Sequence, residues 1–334
     1  MRDIFFVIIL LIVATLIMPL LITTSCDMQI SLREDMAGDG ILESSPMVSV
    51  YNHRTKGIMS LDLEEYVANV VAAEMPAAFE FEALKAQAVA ARTFAIWRQL
   101  TLGENGDDNH PGASICTSHT HCQEWLSTRD LEKLHGGHWM ENYWPKIQRA
   151  VEDTRGIVMT YDNEPIEPLY HSTSGGKTEN SEDVFASAIP YLRGVASPYE
   201  EESPVFTDEK ELSTREFIRG LKALRGGLKV KEADLASEIR IVERSPGGII
   251  KRIEIANESF TGSDIRRLFD LRSSDFTLEI GKGRVVFTTR GYGHGVGMSQ
   301  WGANGMASRG NTYKEILEHY YRGVVLNRLV SYRK

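Results

Sequence analysis

The sequence predicts a mixed α+β fold, helices and twisted, antiparallel-rich sheets set around a cleft, with one transmembrane helix at the N-terminus. Three observations predict it. Helical periodicity is concentrated between residues 62 and 100, short alternating strands with glycine-rich turns follow residue 157, and no charged side chain occurs from Ile4 to Cys26. The composition, 42% hydrophobic and 25% charged, is that of a globular chain able to bury a sizeable core. A formal net charge of -9 without a concentrated basic patch argues against a nucleic-acid partner.

The apolar run from Ile4 to Cys26 is long enough to cross a bilayer, since a helix rising about 1.5 Å per residue needs about 20 such residues. Residues 1–26 therefore read as a retained membrane anchor with the rest of the chain outside the cell; a cleaved signal peptide would carry a shorter apolar stretch. Lipid attachment at Cys26 is a minor alternative, because Thr23 stands where such sites carry an aliphatic residue. Residues 27–46 are polar and aperiodic, a tether. The expected divisions beyond it are a core over 47–202 with a metal-binding segment, an inserted lobe over 203–285, and a return to the core over 286–334.

"MVSVYNH" and "GIMSLDL" pair as strands through "RTKG". Asp62 then caps a helix, with Glu65 three residues on in a capping-box arrangement and Leu61 and Tyr66 as a staple. That helix stops near Glu74, because Pro76 disfavours helical geometry at Met75. A second helix over 81–100 carries a narrow face of Phe81, Leu84, Ala88, Ala91 and Ala95, while Lys85 and Arg92 share another face. "GIVMTYDNEPI" reads as a hairpin turning at "DN", "TREFIRGLKALRGG" as a helix, and "IRIVERS", "IIKRIEIAN" and "DFTLEIGKGRVVFTTR" as further strands. "TYKEILEHYY" closes the chain as a helix.

Glu74 raises the first chemical question. A carboxylate in the last turn of a helix faces the negative end of the macrodipole, and apolar neighbours add a desolvation cost of the same sign. Both raise its pKa, as a general acid working near neutral pH requires. The structural alternative is a helix-end ion pair with Lys or Arg.

Taken in order, "YVANVVAAEMPAAFEFEALKAQAVAARTFA", "YHSTSGGKTENSEDVF" and "GYGHGVGMSQWGANGMA" resemble the stage II sporulation protein D family of peptidoglycan lytic transglycosylases. The resemblance spans nearly the whole chain after the tether. It implies that Glu74 is the catalytic acid and that the substrate is the bond between N-acetylmuramic acid and N-acetylglucosamine, cleaved without water to leave a 1,6-anhydro end. It implies as context a wall amidase and membrane partners acting with the protein during engulfment in a sporulating bacterium.

On that reading, Tyr170, His171, Ser172, Ser174, Gly175 and Gly176 are candidate glycan contacts, as are His294 and Gln300 of the glycine-rich stretch; Lys85 and Arg92 are candidates to face anionic groups of the wall. The alternatives are a polar turn, a tight turn with a core-facing Trp301, and a solvated helix face. The glycines at 291, 293, 295 and 297 do not fit a G-x-G-x-x-G spacing.

His110, Cys116, His119, His121 and Cys122 fall within thirteen residues. Family members often carry "HCQ" after an upstream Cys, which His121, Cys122 and Gln123 match. The expected ligands of a structural zinc are therefore His110, Cys116, His121 and Cys122, with His119 as substitute for either histidine and a Cys116 to Cys122 disulfide as the competing reading. No metal or cofactor is expected in the chemistry itself. Two other functions remain open: a non-catalytic wall-binding amidase enhancer, and a zinc amidase or peptidase acting on stem peptides, although no H-E-x-x-H occurs.

Overall fold

The computed structural model describes residues 30–33, 45–281 and 283–331. The expected membrane anchor lies outside these residues, as does most of the tether. No helix among the described residues is long and apolar enough to cross a membrane. The architecture is mixed α+β, with several small sheets around a helical centre.

A short strand β1 (Ile30–Arg33) precedes the hairpin of β2 (Met47–Asn52) and β3 (Gly57–Asp62), which pair antiparallel from Met47 with Asp62 to Asn52 with Gly57. Asp62 Oδ1 then accepts from the amides of Glu64 and Glu65 and so caps α1 (Leu63–Glu74). Glu65 stays exposed, while its neighbour Glu64 turns into the core. The helix ends where Pro76 requires it to, Met75 being extended at φ -124 and ψ 136.

Helix α2 (Phe81–Leu102) departs from the narrow face read in the sequence. Every side chain from Ala86 to Ile96 is buried, because α2 is the axis of the first core. Its alanines let α1, α3 (Trp144–Asp153) and β5 (Ile157–Tyr161) approach closely, with β4 (Ile115–Cys116) extending the first sheet parallel to β2. Beyond β5 the chain reverses at Asp162 and Asn163, both left-handed at φ 51 and 65, the two-residue turn a hairpin favours. Strand β6 (Tyr170–His171) follows.

A second core forms between residues 207 and 290. Strand β7 (Thr207–Ser213) leads into α4 (Thr214–Leu224), capped reciprocally by Ser213 and Glu216. Then come β8 (Ile239–Arg244), β9 (Ile250–Ile255), β10 (Glu258–Phe260), α5 (Gly262–Leu268), β11 (Phe276–Gly281) and β12 (Arg284–Arg290). The sheets β7-β12-β11 and β8-β9-β10 are both antiparallel. Phe217, Phe269, Phe276 and Phe287 fill the space between them and the helices with rings 5.1 to 5.8 Å apart.

The chain then returns to the first core. Strand β13 (Met298–Ser299) pairs parallel with β6, and α6 (Gln300–Ala307) and α7 (Tyr313–Tyr320) pack on α2. Strand β14 (Val325–Ser331) bridges β5 and β1. Helix α6 is hidden in a sequence rich in glycine, a poor helix former. Gly302 is there for space, since a Cβ would collide with the hydroxyls of Tyr320 and Ser197. Gly297 has φ +74, and a Cβ would strike the Leu169 carbonyl and prevent β13 from reaching β6.

Candidate active site

The loops joining these elements converge on a cleft of about 560 Å³ at the C-terminal end of α1. Glu74, Tyr170, His171, Ser172, His294 and Gln300, far apart in sequence, all line it. Three contacts set the position of Glu74. Its Oε1 accepts from the Glu124 amide at 2.6 Å, its backbone carbonyl accepts from Gln300 Nε2 at 3.1 Å, and the Tyr170 hydroxyl, which donates to Gln123 Oε1 at 2.9 Å, stands close by. Burial pushes the Glu74 carboxyl up to about 7; the Glu124 carboxylate adds to the rise, while the Glu124 amide, His119 and Tyr170 oppose it. A group so placed is half protonated near neutrality, and burial outweighs the hydrogen bonds that favour its ionised form.

The two cleft histidines are neutral. Burial takes His171 down to about 4 and His294 to about 3. One residue orients both: the Val296 carbonyl accepts from His171 Nδ1 at 3.1 Å, and the Val296 amide donates to His294 Nδ1 at the same distance. Aromatic surface comes from Trp301, set edge-on against Phe79 at 4.7 Å, and from the exposed ring of Tyr292. Trp301 thus faces the cleft as well as the core.

Other expected contacts lie elsewhere. Arg92 is fully buried: its guanidinium donates to Glu64 at 2.9 Å and to the carbonyls of Val151 and Ile157 at 3.2 Å, so no anion from solvent reaches it. Glu64 also accepts from the Gly156 amide at 3.1 Å, which completes a core network. Lys85 pairs with Glu82 at 2.9 Å and Asp153 at 3.5 Å and covers the Phe81 ring, outside the cleft lining. Ser174, Gly175 and Gly176 wrap an internal anion. Their amides, with the hydroxyls of Ser174 and Ser197, surround the buried carboxylate of Glu200 at 2.6 to 3.2 Å. These residues shape the loop from behind and do not line the cleft.

Glu124, like Tyr292, is a cleft residue that sequence reasoning missed. Its amide holds Glu74, and its carboxylate pairs with Arg54 at 3.2 Å and His119 at 2.9 Å. The one signal was its place directly after "HCQ". His119 serves this pair and does not join the metal cluster.

His110, Cys116, His121 and Cys122 each bring one ligand atom to a common point, all within 4.8 Å of one another. His110 Nε2 and His121 Nδ1 are 3.3 Å apart, and the nitrogen to sulfur separations are 3.3, 3.7 and 3.9 Å. A tetrahedral site with bonds of about 2.0 Å to nitrogen and 2.3 Å to sulfur has edges of roughly 3.3 to 3.8 Å, so the donor set fits zinc. The outer contacts fit too. His110 Nδ1 donates to the Ala113 carbonyl at 2.6 Å, which makes Nε2 its lone-pair nitrogen, with Arg98 Nη2 3.3 Å from it; His121 Nε2 faces Asp107 at 3.7 Å and Asn109 Nδ2 at 3.2 Å. Both cysteines are free thiols, without the competing disulfide.

A sequence model described as stage II sporulation protein matches residues 51–161. The chain is 38% identical over 303 residues to stage II sporulation protein D of Bacillus amyloliquefaciens, covering 90% of this chain and 85% of that protein. It is 38% identical over 299 residues to the protein of the same name in Bacillus subtilis, covering 89% and 84%. A more distant relative is the amidase enhancer of Bacillus subtilis, 26% identical over 77% of this chain and 39% of that protein.

Proposed function

The chain belongs to the stage II sporulation protein D family, and from that premise we propose that it is a lytic transglycosylase of peptidoglycan. The observation that carries this reading is the single carboxyl raised to about 7 inside a cleft lined by aromatic rings and neutral hydrogen-bonding groups. In its protonated form Glu74 donates to the oxygen linking N-acetylmuramic acid to N-acetylglucosamine. The resulting carboxylate takes the proton of the muramic C6 hydroxyl as that oxygen closes on C1, which regenerates the acid and leaves a 1,6-anhydro end. Because the nucleophile belongs to the substrate, its orientation replaces the water-activating base of an inverting hydrolase. The Glu124 side chain, in the same cleft as Glu74, places a carboxylate where it favours positive charge developing at C1.

His110, Cys116, His121 and Cys122 would hold a zinc ion. Four protein ligands would leave it no open position, so the chemistry it would supply is structural. A cross-link there would brace the segment from 110 to 122, directly after which Gln123 meets Tyr170 and the Glu124 amide meets Glu74. This argues against an amidase or peptidase that uses this metal. In the same reading the apolar segment from Ile4 to Cys26 anchors the chain in the membrane, and the described residues work outside the cell with a wall amidase and membrane partners.

The relation to an amidase enhancer supports a second reading, a non-catalytic wall binder. Digestion of purified glycan strands separates the two. Wild-type protein should release 1,6-anhydro-muramic ends and Glu74→Gln should not; stimulation of an amidase that survives Glu74→Gln, with no anhydro ends from the wild type, would establish the binder.

A further inference from the structure

The cleft continues past Glu74. His119 and Tyr292 line both the catalytic cavity and a second one of about 690 Å³, whose far wall belongs to the second core. That wall carries Lys210, Arg266, Arg267 and Arg272 beside the carboxylates of Asp208, Glu209 and Asp270. Most of the cations are engaged. Lys210 donates to the Asp270 carbonyl at 3.3 Å, Arg267 pairs with Asp264 at 3.1 Å, and Arg272 lies 4.8 Å from the Tyr292 ring centroid, reaching Asp208 only at 3.9 Å.

Arg266 is different. Its Nε donates to the Leu271 carbonyl at 3.3 Å, and among the described residues it has no carboxylate within ion-pair distance and no acceptor for its terminal N–H groups. It is half-buried, and burial lowers its pKa, so its charge stands in a partly desolvated wall. That charge reaches the catalytic end: after burial, it also contributes to holding both His171 and His294 neutral. Tyr292 and Asp270 offset part of that charge, but with Arg92 sealed in the core and Lys85 paired, Arg266 still presents its terminal N–H groups to an anion lying along the cleft.

We infer that this groove is a carboxylate-binding site for the acidic substituent of the glycan strand, with Arg266 as its direct contact and the Arg272–Tyr292 stack as its floor. The inference rests on the glycan reading above. Two sources present that chemistry: the lactyl carboxylate of a muramic residue stripped of its peptide, and the carboxylates of an attached stem peptide. A guanidinium with free N–H pairs is suited to either, because it bonds both oxygens of a carboxylate.

The test is binding by the full-length chain in detergent, carried in the Glu74→Gln background so that strands stay intact. The ligands are amidase-stripped strands, peptide-bearing strands and the uncharged hexamer of N-acetylglucosamine. Arg266→Gln should weaken binding of a carboxylate-bearing strand about tenfold and flatten its salt dependence, with the uncharged hexamer unaffected and Arg266→Lys partly restoring affinity. Weakening confined to stripped strands supports the lactyl source, and weakening confined to peptide-bearing strands supports the peptide source. Equal weakening of the uncharged hexamer, or none on either carboxylate ligand, overturns the site while leaving the glycan reading intact. Failure of the parent protein to bind any of the three overturns both.

Discussion

Glu124 acts on Glu74 in two opposing ways: its amide donates to Glu74 Oε1 at 2.6 Å and favours the ionised acid, while its carboxylate, in the same cleft, disfavours it. Replacing its side chain separates the two, since the amide remains. Glu124→Gln should therefore lower the Glu74 pKa and move the alkaline limb of the rate profile to lower pH, with substrate affinity retained. An unshifted limb in a pH series of kcat would show that the carboxylate does not couple to the acid.

The pH dependence follows from the sign of the Glu74 shift. The acid must be protonated to act and titrates near 7, so the rate should be highest below pH 7 and fall about tenfold per unit well above it. A profile still flat at pH 9 would remove Glu74 as the proton donor.

Stability carries the same signature. The folded value of about 7 lies above the ordinary 4.5, so between these pH values the folded chain keeps a proton that the unfolded chain releases. Stability contributed by this group is therefore present below about pH 4.5, declines as pH rises to about 7, and is flat beyond. Glu74→Gln removes that penalty and should be more stable than wild type by about 1–3 kcal/mol above pH 7, the lower end reflecting partial exposure to the cleft. Urea denaturation at pH 5 and pH 8 measures the difference.

Arg92 tests the core. Arg92→Ala leaves Glu64 buried with its charge uncompensated and should cost about 3–5 kcal/mol, while adding Glu64→Gln should recover much of that loss. Additive losses in the double-mutant cycle would mean that the pair is not coupled.

Metal removal has an expected result of its own. Zinc should be present at about one ion per chain, and chelation or Cys116→Ser should lower the melting temperature and the cleavage rate together. A chelated protein with unchanged melting and unchanged rate would show that the four side chains do not hold a metal.

Much of the architecture was legible in local chemistry. Pro76 ends α1 because it excludes helical geometry at Met75, Asp162 and Asn163 turn a hairpin because both accept a left-handed backbone, and the metal cluster was visible because its ligands come from one short segment. Glu74 stood out because an apolar helix end makes a charge expensive. Tertiary structure alone decided where Arg92 and Lys85 went, because a position on a helix face does not say what packs against it; α2 turned out to be the axis of the core. It also decided that Ser174, Gly175 and Gly176 enclose Glu200, that Glu124 meets Glu74 across fifty residues, and that Arg266 from the second core overlooks the cleft. Such pairings depend on how distant elements pack, which no local periodicity records.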